Sequence, residues 1–384
     1  MARQFRIDDS SVWGYQYGSG MDGAYTPVTG TDAPINSACT GTSGATTLTA
    51  TNTSFAPGQV VIIHQTEGTN AGQWELNHIK SYMAGTITFD YALINSYTAG
   101  AQVQVLPQYA AVSINGGVTL TASAWNGTTG GILGWLCAGL TEIDGTLAGN
   151  GGSASGGTHT AGIGFIGGTP PGSTDAQQGE GSAGVGVNST GSNGNGGGGA
   201  RDASGAGGGG GGGGNGTAGS NGSTTGRGSG GTTAGAADLT TMVFGGGGGG
   251  GAVKGNPGDQ SGAGGSGAGI VVIISKVLTI TGSVTLNGGN GGNTVSVGGQ
   301  TGGGGGGAGG SFLVKCQVAT LGSGLVTATG GAKGTGFASP GGDGGVGRIH
   351  IDYLGTVSGT TTPSMDTRQD SSLATVTGFL FNML

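Results

Sequence analysis

Hydrophobic and polar positions follow short periods over the first third of the chain. Thr46–Ala50 alternates, and Gln59–His64 is a continuous apolar run opened by the turn Ala56–Pro57–Gly58. Ile79–Tyr82 and Thr86–Phe89 flank Ala84–Gly85 and read as a hairpin, and Ala101–Leu106 alternates up to Pro107. Val112–Ile114 and Val118–Thr121 enclose Asn115–Gly116–Gly117, a tight-turn signature. Helical spacing is scarce, and the segment Ala71–Ile79 is the one place that reads as a short helical turn. The pattern predicts a β-rich domain over residues 23–130.

From residue 131 the pattern changes to a repeat. Residues 131–152 read GILGWLCAGLTEIDGTLAGNGG, residues 269–292 GIVVIISKVLTITGSVTLNGGNGG, and residues 311–331 SFLVKCQVATLGSGLVTATGG. Each has an apolar strand, a polar break, a second alternating strand and a Gly-rich exit. Leu147, Leu286 and Val326 occupy similar places, as do Gly145, Gly282 and Gly322. Residues 346–353 resemble a shorter fourth copy. One such unit cannot bury its own apolar face, so the copies are expected to stack.

Between the copies lie runs of glycine at residues 207–214, 245–251 and 302–307, part of 100 glycines in 384 residues. Two readings are open. A glycine run alone is a flexible spacer. Packed laterally, extended glycine chains can satisfy each other's N–H and C=O groups at a separation that no Cβ permits. The bracketing repeat favours the ordered lattice. Collagen is excluded, because the runs lack a G-X-Y period and the chain has only nine prolines. The expected fold is therefore all-β: the N-terminal β domain, then a Gly-rich stack of polyglycine-II helices and short strands over residues 131–355, with little or no α-helix. A tail follows over 356–384, ending in the apolar sequence FLFNML.

Composition narrows the function classes. Charged residues make up 8% and the formal net charge is −7, with the cations scattered singly, so no basic patch for nucleic acid or anionic lipid is expected. No apolar run approaches the length of a membrane span, and the first residues carry no apolar leader pattern. Cys137 and Cys316 fall within repeat strands and read as small buried apolar residues rather than redox or metal groups. All four tryptophans lie in the first 135 residues, placing the conventional core there.

Catalytic and cofactor signatures are sparse. The phosphate-loop pattern is absent, and GxGxxG matches carry no weight in such a chain. His64, His78, His159 and His350 share no metal-ligand spacing. Glu67 and Glu75, with Trp74, His64 and His78, form the one polar–aromatic group that a glycoside hydrolase would use, against the plainer reading of a polar loop. No enzyme activity, cofactor or metal is expected.

Two groups of residues are candidates for recognition. Residues 1–22 crowd Phe5, Ile7, Val12, Trp13, Tyr15 and Tyr17 ahead of a Gly-Ser-Gly break; they are either a docking peg for a partner or another copy, or a first strand on the same chain. Loops between glycine runs present His159, Phe165, Phe244, Lys333 and Phe337 on a background without side chains. These either contact a partner, where aromatic groups add area at low entropic cost, or cap the ends of the glycine layers.

Glycine runs alternating with short strands, as in GGGGGGAGG followed by SFLVKC, and the GNGG exits resemble the glycine-rich phage tail-fibre adhesins, such as the tip adhesins of T-even-type phages. The likeness covers about residues 145–350. It implies a virion protein, made in the host cytoplasm without a signal peptide, with variable loops on a stack of polyglycine-II helices. Its partners would be other virion proteins and a host-surface glycan or protein, with no nucleic acid and no membrane insertion. A purely structural virion, filament or surface subunit is the second reading, and a β-helical polysaccharide-active enzyme the third.

Overall fold

The computed structural model describes residues 16–52, 54–170, 175–203, 206–253, 259–295, 300–337 and 339–374. They are nearly all β: strands and extended chain, with a single 3-10 turn at Ser371–Leu373 and no α-helix among the described residues. Three parts share the chain: a closed antiparallel barrel, a stack of parallel arches, and a glycine lattice.

The chain opens with β1 (Ala24–Tyr25) and β2 (Gly30–Asp32), then enters the barrel. Its strands are β3 (Asn36–Gly41), β4 (Thr47–Ala50), β5 (Val60–Gln65), β6 (Trp74–Met83), β7 (Thr86–Phe89) and β8 (Tyr97–Leu106), closed in the order β3-β4-β7-β6-β5-β8. Leu48, Val61, Ile63, Ile79, Ile87, Phe89 and Val103 fill the interior. The β6–β7 hairpin forms at Ala84–Gly85, both at positive φ, as the sequence indicated. The helical turn expected over Ala71–Ile79 is not there: residues from Trp74 pair with β5, since alternate side chains of this segment are needed inside the barrel and at its outer joint.

After the barrel come β9 (Gln108–Tyr109), β10 (Ala111–Ile114), β11 (Thr119–Ala122), β12 (Ile132–Ile143) and β13 (Thr146–Ala148). A small pair, β14 (Asp202–Ala203) and β15 (Ala206–Gly207), precedes β16 (Ile270–Ile280), β17 (Ser283–Thr285), β18 (Ser311–Thr327), β19 (Arg348–Thr362) and β20 (Asp366–Gln369). β10 and β11 do not pair with each other as a hairpin. Each pairs in parallel with the next unit, so the unit is an arch: β10 lies along β12 and β11 along β13. β1 and β2 make an arch before it, and β12–β13, β16–β17, the bent β18 and the bent β19 follow.

Parallel register explains the repeat. Leu133, Val271, Phe312 and Ile349 stack in one column, and Trp135, Ile273, Val314 and Ile351 in the next. Leu147, Val284 and Val326 form a column on the opposite arm; Leu286, proposed for that place from sequence, sits two residues further on. Both arms close over one core, so alternate residues are fixed inward. The first halves of β12, β16 and β18 are buried on the other face too, against the barrel and the loop before residue 245, which accounts for continuous runs such as IVVII. These strands are 11 to 17 residues long, not the short ones expected.

The glycine runs continue straight into the arches: 302–310 into β18, 262–269 into β16 and 341–347 into β19. They are buried and laterally bonded with a period of three. Along 208–214, Gly208, Gly211 and Gly214 donate to Arg201, Gly198 and Asn195 O; Gly209 and Gly212 donate to Ser223 and Ser220 O; Gly210 and Gly213 donate to Gly303 and Gly306 O. The carbonyls of the same residues accept from three further segments, 246–252, 228–231 and 342–345. The three longest runs meet at the centre as a cycle. Gly210 donates to Gly303 O, Gly305 to Gly249 O, and Gly249 to Gly211 O. A Cβ on Gly302 would overlap Gly208 O, and comparable backbone overlaps recur along all three runs, which is why glycine is required. The flexible-spacer reading does not describe these runs.

Candidate functional sites

Where the barrel meets the lattice, residues 239–244 are tied down from both sides. Trp74 Nε1–H donates to Leu239 O at 2.9 Å, Met242 N–H donates to Gly72 O, and His64 Nε2 lies 2.7 Å from Met242 O. Burial holds the His64 imidazole down at about 4, so it is neutral near pH 7. Phe244 meets His64, Trp125 and Phe165 with ring centroids 5.9, 5.6 and 5.3 Å apart. Gly131, at φ +79°, makes room for that ring, since a Cβ there would strike Phe244.

Phe165 and Phe244 are fully buried in this cluster and present no surface to a partner. The contact role considered for them from sequence is corrected by their burial: they are core residues of the joint. Nothing in the run LTTMVF distinguishes a segment clamped by the barrel from an exposed loop, because the clamp comes from Trp74 and His64, more than 160 residues earlier.

The polar–aromatic group of β5 and β6 does not converge on one site. Glu75 Oε2 accepts from Ile94 N at 2.8 Å, and His78 Nδ1 contacts Asp90. Glu67 instead faces Glu180 of the lattice. Burial, the hydrogen bond to Glu180 and that group's charge raise the Glu67 carboxyl to about 8, so Glu67 is largely protonated at neutral pH. Gly68 N–H donates to Ser182 O beside them, and Glu180 Oε2 accepts from Ile166 N at 2.8 Å.

A second ionic group lies on the outer face of β18–β20. Asp352, buried, accepts from Lys315 Nζ at 2.5 Å and Arg368 Nε at 2.8 Å, and contacts His350 Nε2 at 3.2 Å; His350 Nδ1 reaches Asp366 at 2.8 Å. Hydrogen bonds from His350 and the Lys315 charge outweigh burial and hold the Asp352 carboxyl far below the usual range. Each polar atom faces a fixed partner, and the group reads as a cross-strand tie. Among the described residues no three His, Cys, Asp or Glu side chains gather as metal ligands.

His159, Lys333 and Phe337 are at least partly accessible, and Phe337 is 71% exposed. Phe337, and the turn at Ser155–Thr158 just before His159, lie at the end of the lattice remote from the arches, level with Gly302 and Gly292. Lys333 pairs on the side with Asp343 at 3.2 Å. Of the docking residues, Phe5, Ile7, Trp13 and Tyr15 lie outside the described residues. Tyr17 is buried, its hydroxyl donating to Leu373 O at 2.6 Å, so the start and end of the described chain are joined. Cys137 and Cys316 are buried free thiols, and burial pushes Cys316 up to about 12, which leaves it unreactive.

No helix among the described residues is long and apolar enough to cross a membrane. Comparison with known protein families, with curated proteins and with solved structures found no match.

Proposed function

We propose that this chain is a virion adhesin of the phage tail-fibre type, in which a polyglycine-II bundle presents loops to a host surface. The observation that carries the reading is the three-residue period of hydrogen-bond partners along the glycine runs. Three residues per turn with no internal bonds is the geometry of a polyproline-II-type helix. Side chains are excluded inside such a bundle, so recognition falls to the segments joining its members. The described parts of the segments around 153–160, 223–227 and 334–340 gather at the end remote from the arches, and His159 and Phe337 are the contact residues retained there. Attachment to other virion proteins or to copies of itself is assigned to the segment that carries Phe5, Ile7, Trp13 and Tyr15, ahead of the buried Tyr17. On this reading the protein is not an enzyme.

Electron micrographs of virus particles labelled with antibody to this chain test the reading. Label at a tail tip or fibre end, together with binding of the purified protein to host cells, supports it; particles without label count against it. A structural subunit of a larger assembly is the second reading, and the edge of β19 favours it: β20 covers residues 350–353, whereas 354–362 are mostly accessible beyond it.

A further inference from the structure

On the flank of the lattice, toward its remote end, an open groove of about 620 Å³ runs between Arg201 and Arg227, with Thr190, Asn221, Thr225 and Ser229 in its walls. Backbone bonds build its frame: Arg201 N–H donates to Gly226 O, Gly198 N–H to Ser229 O, and Ser229 N–H to Thr190 O. The positions of both arginines are thus fixed by the lattice. Among the described residues neither guanidinium has an ion pair or a side-chain hydrogen bond, and the hydroxyls of Thr190, Thr225 and Ser229 and the Asn221 amide nitrogen have no bonding partner. No carboxylate lines the groove, although the chain as a whole carries −7.

We propose that this groove binds an anionic saccharide, its carboxylate, sulfate or phosphate group held between Arg201 and Arg227 and its hydroxyls by the Thr, Ser and Asn side chains. A guanidinium presents a planar fork of donors matched to such oxyanions. The wall has no apolar or aromatic side chain, so neither an apolar ligand nor a stacked base finds a platform there. A long polyanion such as nucleic acid is opposed by the net charge, whereas a short ligand with one anionic group and many hydroxyls matches what is offered. The inference rests on the adhesin reading for its biological setting and names the ligand class for one of the remote-end segments, 223–227, where it meets Thr190 and Arg201.

The test immobilises a panel of carboxylated, sulfated and phosphorylated oligosaccharides beside their neutral parents and measures binding of the full-length protein and of R201Q, R227Q and the double variant. Expected is binding of at least one anionic member about tenfold or more above its neutral parent, weakened by added salt and reduced about tenfold in each single variant. Circular dichroism of the variants must match the parent protein, since both side chains are exposed. No preference for anionic members, or a preference that survives in the double variant, overturns the proposal. Attachment of the double variant to host cells is scored separately: retained attachment with lost saccharide binding shows that the groove does not carry attachment, and leaves both the saccharide site and the adhesin reading standing.

Discussion

Replacing Gly248 by alanine adds one methyl group at the centre of the lattice. Its Cβ would overlap Gly305 O and stand 2.5 Å from Gly305 C and 2.8 Å from Gly306 O. Gly305 O accepts from Gly265 N–H, while Gly248 itself donates to Gly265 O and accepts from Gly168 N–H. Relief requires three chains to part. Overpacking alone costs about 1–3 kcal/mol, and each buried backbone group left unpaired adds about 1–3 kcal/mol. With one group unpaired the loss is roughly 2–6 kcal/mol, a large share of a typical domain's stability. At about 2–4 °C per kcal/mol the melting temperature falls by at least ~4 °C. Gly191→Ala is the control. Only Ser189 Oγ, at 3.7 Å, lies near its Cβ, and its φ is not in the left-handed region, so the lower entropy of the unfolded chain leaves it neutral or slightly stabilised. Calorimetry of both variants decides the matter. An unchanged melting temperature for Gly248→Ala refutes the close-packed lattice.

Three further outcomes are expected. Asp352→Asn removes the buried carboxylate that accepts from Lys315 and Arg368 and destabilises by about 3–5 kcal/mol in denaturant titration; because the folded carboxyl titrates below its unfolded value, this contribution is full above about pH 4 and declines as pH falls further. Glu67 is raised in the fold to about 8, so folding takes up a proton, and lowering pH from 8 to 6.5 should raise the melting temperature in the parent protein but not in Glu67→Gln; below 6.5 the depressed His64 acts in the opposite direction, with stability lost as pH falls toward 4. Phe244→Ser should cost about 3–5 kcal/mol or more through the emptied joint, whereas Phe337→Ser leaves melting unchanged; equal melting for the two variants would contradict their placement.

Much of the fold was legible where local chemistry decides it. The β6–β7 hairpin follows from Ala84–Gly85, and the stacked copies from the recurrence of apolar strand, break and Gly-rich exit. The partners of those strands were less legible. Val112–Ile114 and Val118–Thr121 look like a hairpin because a tight turn and the bend of an arch use the same Asn-Gly-Gly chemistry; only a neighbouring arch in register separates them. Phe165 and Phe244 carried no local sign of burial, since their environment is assembled from β5, β6 and the lattice. The groove at Arg201 and Arg227 was invisible for a related reason: isolated arginines in a Gly/Ser/Thr background read as scattered charge until the lattice sets 198–201 beside 226–229.

Amide hydrogen exchange measures directly whether the glycine runs form an ordered, mutually bonded lattice. Residues 208–214, 245–251 and 302–307 each donate to a carbonyl of another segment and are buried. Their amides should exchange orders of magnitude more slowly than an unstructured glycine peptide, at rates comparable to the strand cores of β16 and β18. Exchange of the three runs at random-coil rates, with β16 and β18 still protected, would contradict the lattice and return them to the role of flexible spacers.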